Sequence, residues 1–466
     1  MTKRLVVKEF DRIVSALSIS GGIKDPVAEY IDAYGVYALD DEYFQKLKQR
    51  LLGKNRPSDF PSPASISITK RLGEVIEVKN WAGVINAGKD FQLEILPKID
   101  FPSSQADPTK ASIRIFMRML SYLKDFPGLP SEKSSLSTKH EDLFELFICL
   151  YLEKVKSLVR RGLKRGYSEV EENIHCLKGR LDMAKHIKEN SARRDRFYCV
   201  HDEYLPDGPE NRLIKSSLLL LSKESNKASN IRDAASLLSY FENVPESKDY
   251  KVDYSLVSPD RNYSYYEEVV KWAYAFLMHR SFVFETGNDE VDSLLFPMEK
   301  VFESFIGRLF ARCLRESDLY NQGYRISLQG YRTLFDDPKE FRIKPDIRIY
   351  KGDRSIIFDT KWKKLRKGDK HFGISQADMY QMYAYAKRFH TNDVYLIYPK
   401  TEGFVNAGLQ DYITITDASF QGGEDTNVRI HVRMVDLSCL ADNSAKQAIK
   451  GVMDQLAAFL PRVSGP

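Results

Sequence analysis

Two alternating runs, FRIKPDIRIY (341–350) and SIIFDTKW (355–362), flank Lys351-Gly352-Asp353-Arg354 and confine this part of the chain to a β-hairpin. With Gly352 and Asp353 at the centre of the turn, antiparallel register pairs residue 351 with 354 and 350 with 355. Continued outward, it sets Asp346 opposite Asp359. Side chains alternate across a strand, so Asp346, Arg348 and Tyr350 share one face and Ile347 and Ile349 the other; Asp359 and Lys361 likewise share a face. A helical pattern (ISQADMYQMYAYAKRF, 374–389) follows, and then a buried-looking strand, DVYLIYP (393–399). With the helix MEKVFESFIGRLFARCL (298–314) and the strand-like YRISLQGYRTLF (324–335) before it, this order predicts an α/β core with a mixed sheet. RIHVRMVDL (429–437) adds a strand and SAKQAIKGVMDQLAAFL (444–460) a closing helix.

The chain has 466 residues, more than one core usually organises, and a multidomain α/β fold is expected. Residues 1–105 form a mainly β module: SISITK, GEVIEVKN, AGVINAG and DFQLEILPKI alternate in short runs between Ser65 and Ile99, with Gly83 and Gly88 at turns. Residues 106–285 take helical spacing and form a helical middle domain, interrupted by the polar tracts LKGRLDMAKHI (177–187) and DEYLPDGPENR (202–212). Residues 286–466 hold the α/β core.

Several functional classes are disfavoured. MTKRLVVKEFDRIV interleaves charge with its apolar residues and lacks the uninterrupted apolar run of an export signal, and no stretch approaches a membrane span, so a cytoplasmic protein without membrane contact is expected. Its five cysteines are odd in number and widely spaced, which suggests neither a disulfide framework nor a zinc site. His175, His186, His201, Asp202 and Glu203 match no compact metal-ligand spacing. No Gly-x-x-x-x-Gly-Lys loop occurs, so the chain itself is expected to bind no nucleotide. A net charge of +5 says little about partners, but basic runs at 160–165, 193–196 and 361–370 are the kind of cluster that phosphate neutralisation needs.

The opposed aspartates carry the chemistry. Like charges about 5 Å apart in a sheet are destabilising and call for a cation. Mg2+, with Mn2+ as a substitute, takes a few carboxylate oxygens and leaves its other positions to water and a substrate phosphate. Asp346 and Asp359 are the expected metal ligands, and Lys361 would orient or deprotonate the attacking water and offset charge on the phosphate. Gln381 and Tyr385, four residues apart, share one helical face and complete the expected catalytic set. Glu299 and Glu303 offer a further carboxylate, with Glu303 preferred. Lys363, Lys364, Arg366 and Lys367 are the expected DNA contacts.

The stretch Pro345–Asp346, Asp359 and Lys361 resembles the PD-(D/E)xK nuclease superfamily, and Gln381-x-x-x-Tyr385 resembles the motif that follows in its RecB-like branch. More closely, GVINAGKDFQLEILPKI (83–99), LKGRLDMAKHI, FYCVHDEYLPDGPENRLIKSSLLLL (197–221) and the nuclease motifs together resemble the McrC family, the nuclease subunits of McrBC modification-dependent (5-methylcytosine) restriction systems. These stretches lie between about residues 75 and 400. The resemblance implies a restriction-endonuclease-like core and a Mg2+-dependent endodeoxyribonuclease acting on modified double-stranded DNA. It also implies an McrB-like AAA+ GTPase hexamer as partner, with the β-rich module entering the motor's pore and stimulating hydrolysis. A non-catalytic AAA+ adaptor that retains a nuclease fold, or a stand-alone repair nuclease, are the alternatives.

Overall fold

The computed structural model describes residues 3–51, 63–101, 107–123, 142–278, 293–401, 412–416 and 428–460, less residues 20–21, 26, 88–89, 193–194, 259, 336, 338–339, 367 and 443 within those spans. They form a multidomain α/β structure with mixed sheets. Two compact units divide the chain: Phe144–Phe284 in one, and Thr2–Leu143 with Leu295–Pro466 in the other. The helix Pro108–Leu120, expected with the helical middle, therefore groups with the N- and C-terminal residues. Its Arg114 and Arg118 guanidinium groups donate to the Ala441 and Leu440 carbonyls, which accounts for that placement.

Strands Ala28–Ile31, Val36–Leu39, Arg12–Ser15, Gly73–Val78 and Ala64–Thr69 form one N-terminal sheet in that order. Trp81–Asn86 and Phe91–Leu96 belong to a second sheet, in which Lys3–Lys8 runs parallel to Phe91–Leu96. The alternation from Ser65 to Ile99 is thus split between two sheets, and the parallel partner comes from the start of the chain, where local pattern cannot indicate it. Gly83 lies inside a buried strand rather than at a turn; Gly88 is outside the described residues.

The unit formed by residues 144–284 is not wholly helical. Gly166–Ile174, Arg180–Leu181 and Phe197–Leu205 make a three-stranded antiparallel sheet. Gly166–Ile174 is exposed on both faces for much of its length, so GYSEVEENI has no apolar alternation to betray a strand. Helices Leu143–Arg161, Pro209–Glu224 and Ser264–Leu277 are the apolar part, with Tyr151 and Phe276 ring to ring at 5.3 Å. Asn211 is fully buried and its side chain is used completely: it donates to the Lys164 and Pro206 carbonyls at 2.8 Å each and accepts from Tyr266 Oη at 2.8 Å.

The C-terminal sheet has six strands in the order Arg325–Leu328, Ile347–Lys351, Arg354–Thr360, Asp393–Pro399, Arg429–Val435 and Tyr412–Thr416. Its two central pairings, Arg354–Thr360 with Asp393–Pro399 and Asp393–Pro399 with Arg429–Val435, are parallel and the others antiparallel, the mixed sheet that the element order predicts. The hairpin ladder runs from Lys351↔Arg354 to Ile347↔Phe358, with Gly352 at a φ of 55° in the turn. Phe302, Phe305 and Phe310 of the helix Met298–Glu316 are completely buried, each contributing about 2–3 kcal/mol. The Gln376–Arg388 helix covers Ile357, Val394 and Leu396 with Met382 and Tyr385.

Two predicted strands are broken. YRISLQGYRTLF leaves the sheet after Leu328, where Gln329 takes a φ of 53°, and its second half pairs as Arg332–Thr333 with Arg342–Ile343. FRIKPDIRIY is interrupted at Pro345, which has no N–H for the ladder.

Candidate active site

Asp346 follows Pro345, one residue before the hairpin ladder begins. Its Oδ2 accepts from Thr360 N and Thr360 Oγ1, both at 2.7 Å. Asp359 is the sixth residue of Arg354–Thr360, a strand paired on both sides, and is 2% exposed. Lys361 Nζ lies 2.6 Å from Asp359 Oδ2. That oxygen is nevertheless a buried acceptor with no hydrogen bond of normal geometry, so the pair is a close charge contact rather than an aligned bond.

Lys361 Nζ also donates to Gln381 Oε1 at 3.0 Å, Gln381 Nε2 donates to Tyr385 Oη at 2.7 Å, and Tyr385 Oη donates to the Lys344 carbonyl at 2.9 Å. The relay starts at Asp359 and ends two residues before Asp346. It needs Gln381 and Tyr385 on one helical face, and the Gln376–Arg388 helix is anchored by a reciprocal cap between Ser375 and Asp378. From the other side, Glu303 of the helix Met298–Glu316 stands close enough to the Asp346 carboxylate to feel its charge, and it accepts from Gln329 Nε2. Gln329 Oε1 in turn accepts from Lys344 Nζ at 3.0 Å.

The electrostatics follow from this crowding. Burial pushes the Asp359 and Glu303 carboxyls well above the usual carboxylate range, and the charge of Asp346 raises both further. Burial raises Asp346 too, against the opposing effect of the Thr360 bonds. Burial pulls the Lys361 ammonium down, but Asp359, Asp378 and Asp346 more than reverse this and keep it charged.

Among the described residues no three histidine, cysteine, aspartate or glutamate side chains form a ready-made metal cage. The donor set still suits a hard divalent cation. It offers carboxylate oxygens only, one of them buried without a hydrogen bond, and Mg2+ takes one or two carboxylates plus water and phosphate.

The structure thus brings Asp346, Asp359, Lys361, Glu303, Gln381 and Tyr385 together. Glu299 lies elsewhere, accepting from Asn80 Nδ2 at 3.1 Å. Lys363 is paired with Asp378 at 3.0 Å and Lys364 with Asp100, while Arg366 is exposed; Lys367 is outside the described residues. Sequence reading missed Thr360, Gln329 and Asp378. Ser375-x-x-Asp378 is a recognisable cap spacing. Thr360 and Gln329 act through a close approach of backbones that spacing does not encode.

The family model described as "McrBC 5-methylcytosine restriction system component" matches residues 76–399, a span containing every residue of this cluster. The Type IV methyl-directed restriction enzyme EcoKMcrBC of Escherichia coli (strain K12) is 26% identical over 247 residues, 50% of this chain and 68% of that protein. Among solved structures, a chain in the half-complex of Thermococcus gammatolerans McrB AAA+ hexamers with bound McrC aligns over 98% of this chain and all of its own length. Its TM-score is 0.64 at 18% identity, a likeness of fold. Among the described residues no helix is long and apolar enough to cross a membrane. With the family model spanning most of the chain, the protein belongs to the McrBC 5-methylcytosine restriction system component family.

Proposed function

We propose that this chain is the DNA endonuclease subunit of an McrBC-type restriction complex, hydrolysing phosphodiesters of modified double-stranded DNA at a PD-(D/E)xK site. The observation that carries the reading is the constellation of buried Asp359 with half-buried Asp346 and Glu303, and Lys361 Nζ 2.6 Å from Asp359. Membership of a restriction-system family supports the reaction class. The partner is an McrB-like AAA+ hexamer, as in the Thermococcus assembly that contains a chain of the same fold. The β-rich N-terminal module contacts it.

Asp346 and Asp359 would hold Mg2+, or Mn2+ in its place. The bound ion supplies charge neutralisation at the scissile phosphate and acidifies water. Lys361, held as a cation, orients the attacking water and offsets phosphate charge rather than accepting a proton. Gln381 and Tyr385 fix the position of Lys361. Arg366, exposed beyond Trp362, remains a DNA contact, while Lys363 and Lys364 serve mainly to hold the loop through Asp378 and Asp100.

The test is cleavage of a methylated duplex by the chain with its AAA+ partner, nucleotide and Mg2+. Asp346→Asn is expected to abolish cleavage while leaving partner assembly and partner-stimulated hydrolysis intact. Cleavage at the normal rate by the double variant Asp346→Asn/Asp359→Asn would sink the assignment.

A further inference from the structure

The segment from Gln329 to Lys344 leaves the sheet beside the acidic cluster and returns to it. At its roots Gln329 N donates to the Asp346 carbonyl at 2.9 Å, and the Lys344 carbonyl accepts from Tyr385. Between them, Arg332–Thr333 pairs with Arg342–Ile343, and Leu334 N donates to the Phe341 carbonyl at 2.8 Å. Alternation gives this ribbon two faces. One is turned to the body: Ile343 packs on the sheet's core, and the Arg332 guanidinium lies 5.0 Å over the Phe389 ring. The other carries Tyr331, Arg342 and Lys344, all exposed, with the Arg342 guanidinium 4.9 Å over the Tyr331 ring. Tyr331 is 61% exposed, Phe335 52% and Phe341 68%.

Three large rings in water within one short ribbon run against burial. Phe341 also holds a left-handed φ of 54°, a conformation uncommon for a bulky side chain. Tyr331 and Phe341 lie two and three residues from the roots, a reach of at most about 7–11 Å. A major groove is about 12 Å wide, so a duplex presenting a phosphate to the acidic cluster also covers these rings. Asp337 and Glu340, exposed on the same ribbon, offset two of the three cations Arg332, Arg342 and Lys344 and leave one in excess. Ring contact rather than phosphate neutralisation therefore dominates here.

We propose that the two arms of this ribbon, residues 329–335 and 340–344, are a substrate-contact element, on which Tyr331 and Phe341 pack against base edges and sugars of duplex DNA flanking the scissile phosphate and Arg342 meets a phosphate. The proposal rests on the nuclease reading and deepens it. Aromatic side chains pack on the sugars and apolar edges that every base pair of a duplex presents, which suits an enzyme that must hold DNA independently of the sequence at the cut.

The test is the full chain without added metal, titrated onto a fluorescein-labelled methylated duplex and read by anisotropy across a salt series. Tyr331→Ser and Phe341→Asn, the latter because asparagine tolerates a left-handed backbone, are each expected to weaken binding about tenfold, within the loss that removing one aromatic contact causes. The slope of log affinity against log salt stays unchanged in both. Arg342→Ala is expected to reduce that slope by about one, and Tyr331→Phe to bind as the parent does. Parental affinity in folded Tyr331→Ser and Phe341→Asn overturns the proposal; if Phe341→Asn does not fold, Tyr331→Ser alone decides. Unchanged DNA affinity with lost stimulation of the AAA+ partner's hydrolysis also overturns it, making the ribbon a protein-docking surface. Asp346→Asn separates the two readings: it should bind DNA normally and not cut, and normal cutting by it removes the nuclease reading whatever the ribbon variants do.

Discussion

The indole Nε1 of Trp362 donates to both carboxylate oxygens of Glu9, each at 3.0 Å, tying the residue after Lys361 to the start of the chain. Glu9 is fully buried, and its Oε2 also accepts from Lys98 N at 2.9 Å. Burial pushes its carboxyl up to about 8 despite these donors.

A pH dependence of stability follows. The folded value lies above the ordinary 4.5, so the neutral form is the one that folding favours, and its contribution is complete below pH 4.5 and lost as pH rises through about 8. At about 1.4 kcal/mol per unit the upper bound is about 5 kcal/mol. Glu9→Gln mimics the neutral carboxyl and should match the parent at pH 5 but exceed it at pH 9 in urea unfolding. Glu94, also pushed to about 8 chiefly by burial, leaves part of the slope in place. Identical pH slopes in parent and variant would contradict the burial account.

Trp362 also packs on Phe302, their rings 5.3 Å apart. Trp362→Phe keeps that apolar contact and deletes the donor to Glu9, which should destabilise the protein by about 1–2 kcal/mol. Because Lys361 is the preceding residue, cleavage should fall more than stability explains at a temperature where the variant is fully folded. Undiminished cleavage in a folded Trp362→Phe would separate Trp362 from the site.

Much of the C-terminal core was legible because its signals are local. The turn at Gly352 sets the register, and the register brings Asp346 near Asp359. Helical spacing puts Gln381 under Tyr385. The Glu9–Trp362 link was not legible, since residues 353 positions apart have no common periodicity. The strand Gly166–Ile174 escaped because its exposed faces carry no hydrophobic pattern, and Lys363 and Lys364 read as free cations because their carboxylates, Asp378 and Asp100, come from other elements.

Removing one carboxylate should help the metal-free protein. Asp359 is buried beside Asp346, and desolvation and repulsion both disfavour its charge. Asp359→Asn keeps the shape and deletes that charge, so thermal unfolding in EDTA at pH 8 should show stability unchanged or raised by up to about 1 kcal/mol, since the contact with Lys361 is lost at the same time. A loss above about 2 kcal/mol would mean that the ion pair with Lys361 outweighs the repulsion.

Lys361 distinguishes a ligand from a neighbour of ligands. If Asp346 and Asp359 hold the divalent ion, Lys361 occupies charge space next to it and competes with it electrostatically, its Nζ being 2.6 Å from an Asp359 oxygen. Lys361→Ala removes that competitor. In EDTA the variant should be less stable than the parent, because Asp359 loses its only close cation among the described residues and stays 2% exposed. Added Mn2+ should then stabilise the variant more than the parent. An ion present at 100 times its dissociation constant contributes about 2.7 kcal/mol, and tighter binding adds about 1.4 kcal/mol for each tenfold. Cleavage should nonetheless be lost, so metal binding and catalysis part company in this one substitution. Unfolding curves with and without Mn2+ for parent, Lys361→Ala and Asp359→Asn decide it: a gain in Lys361→Ala smaller than in the parent would make the lysine a supporter of the ion, and a full gain in Asp359→Asn would move the ion away from Asp359.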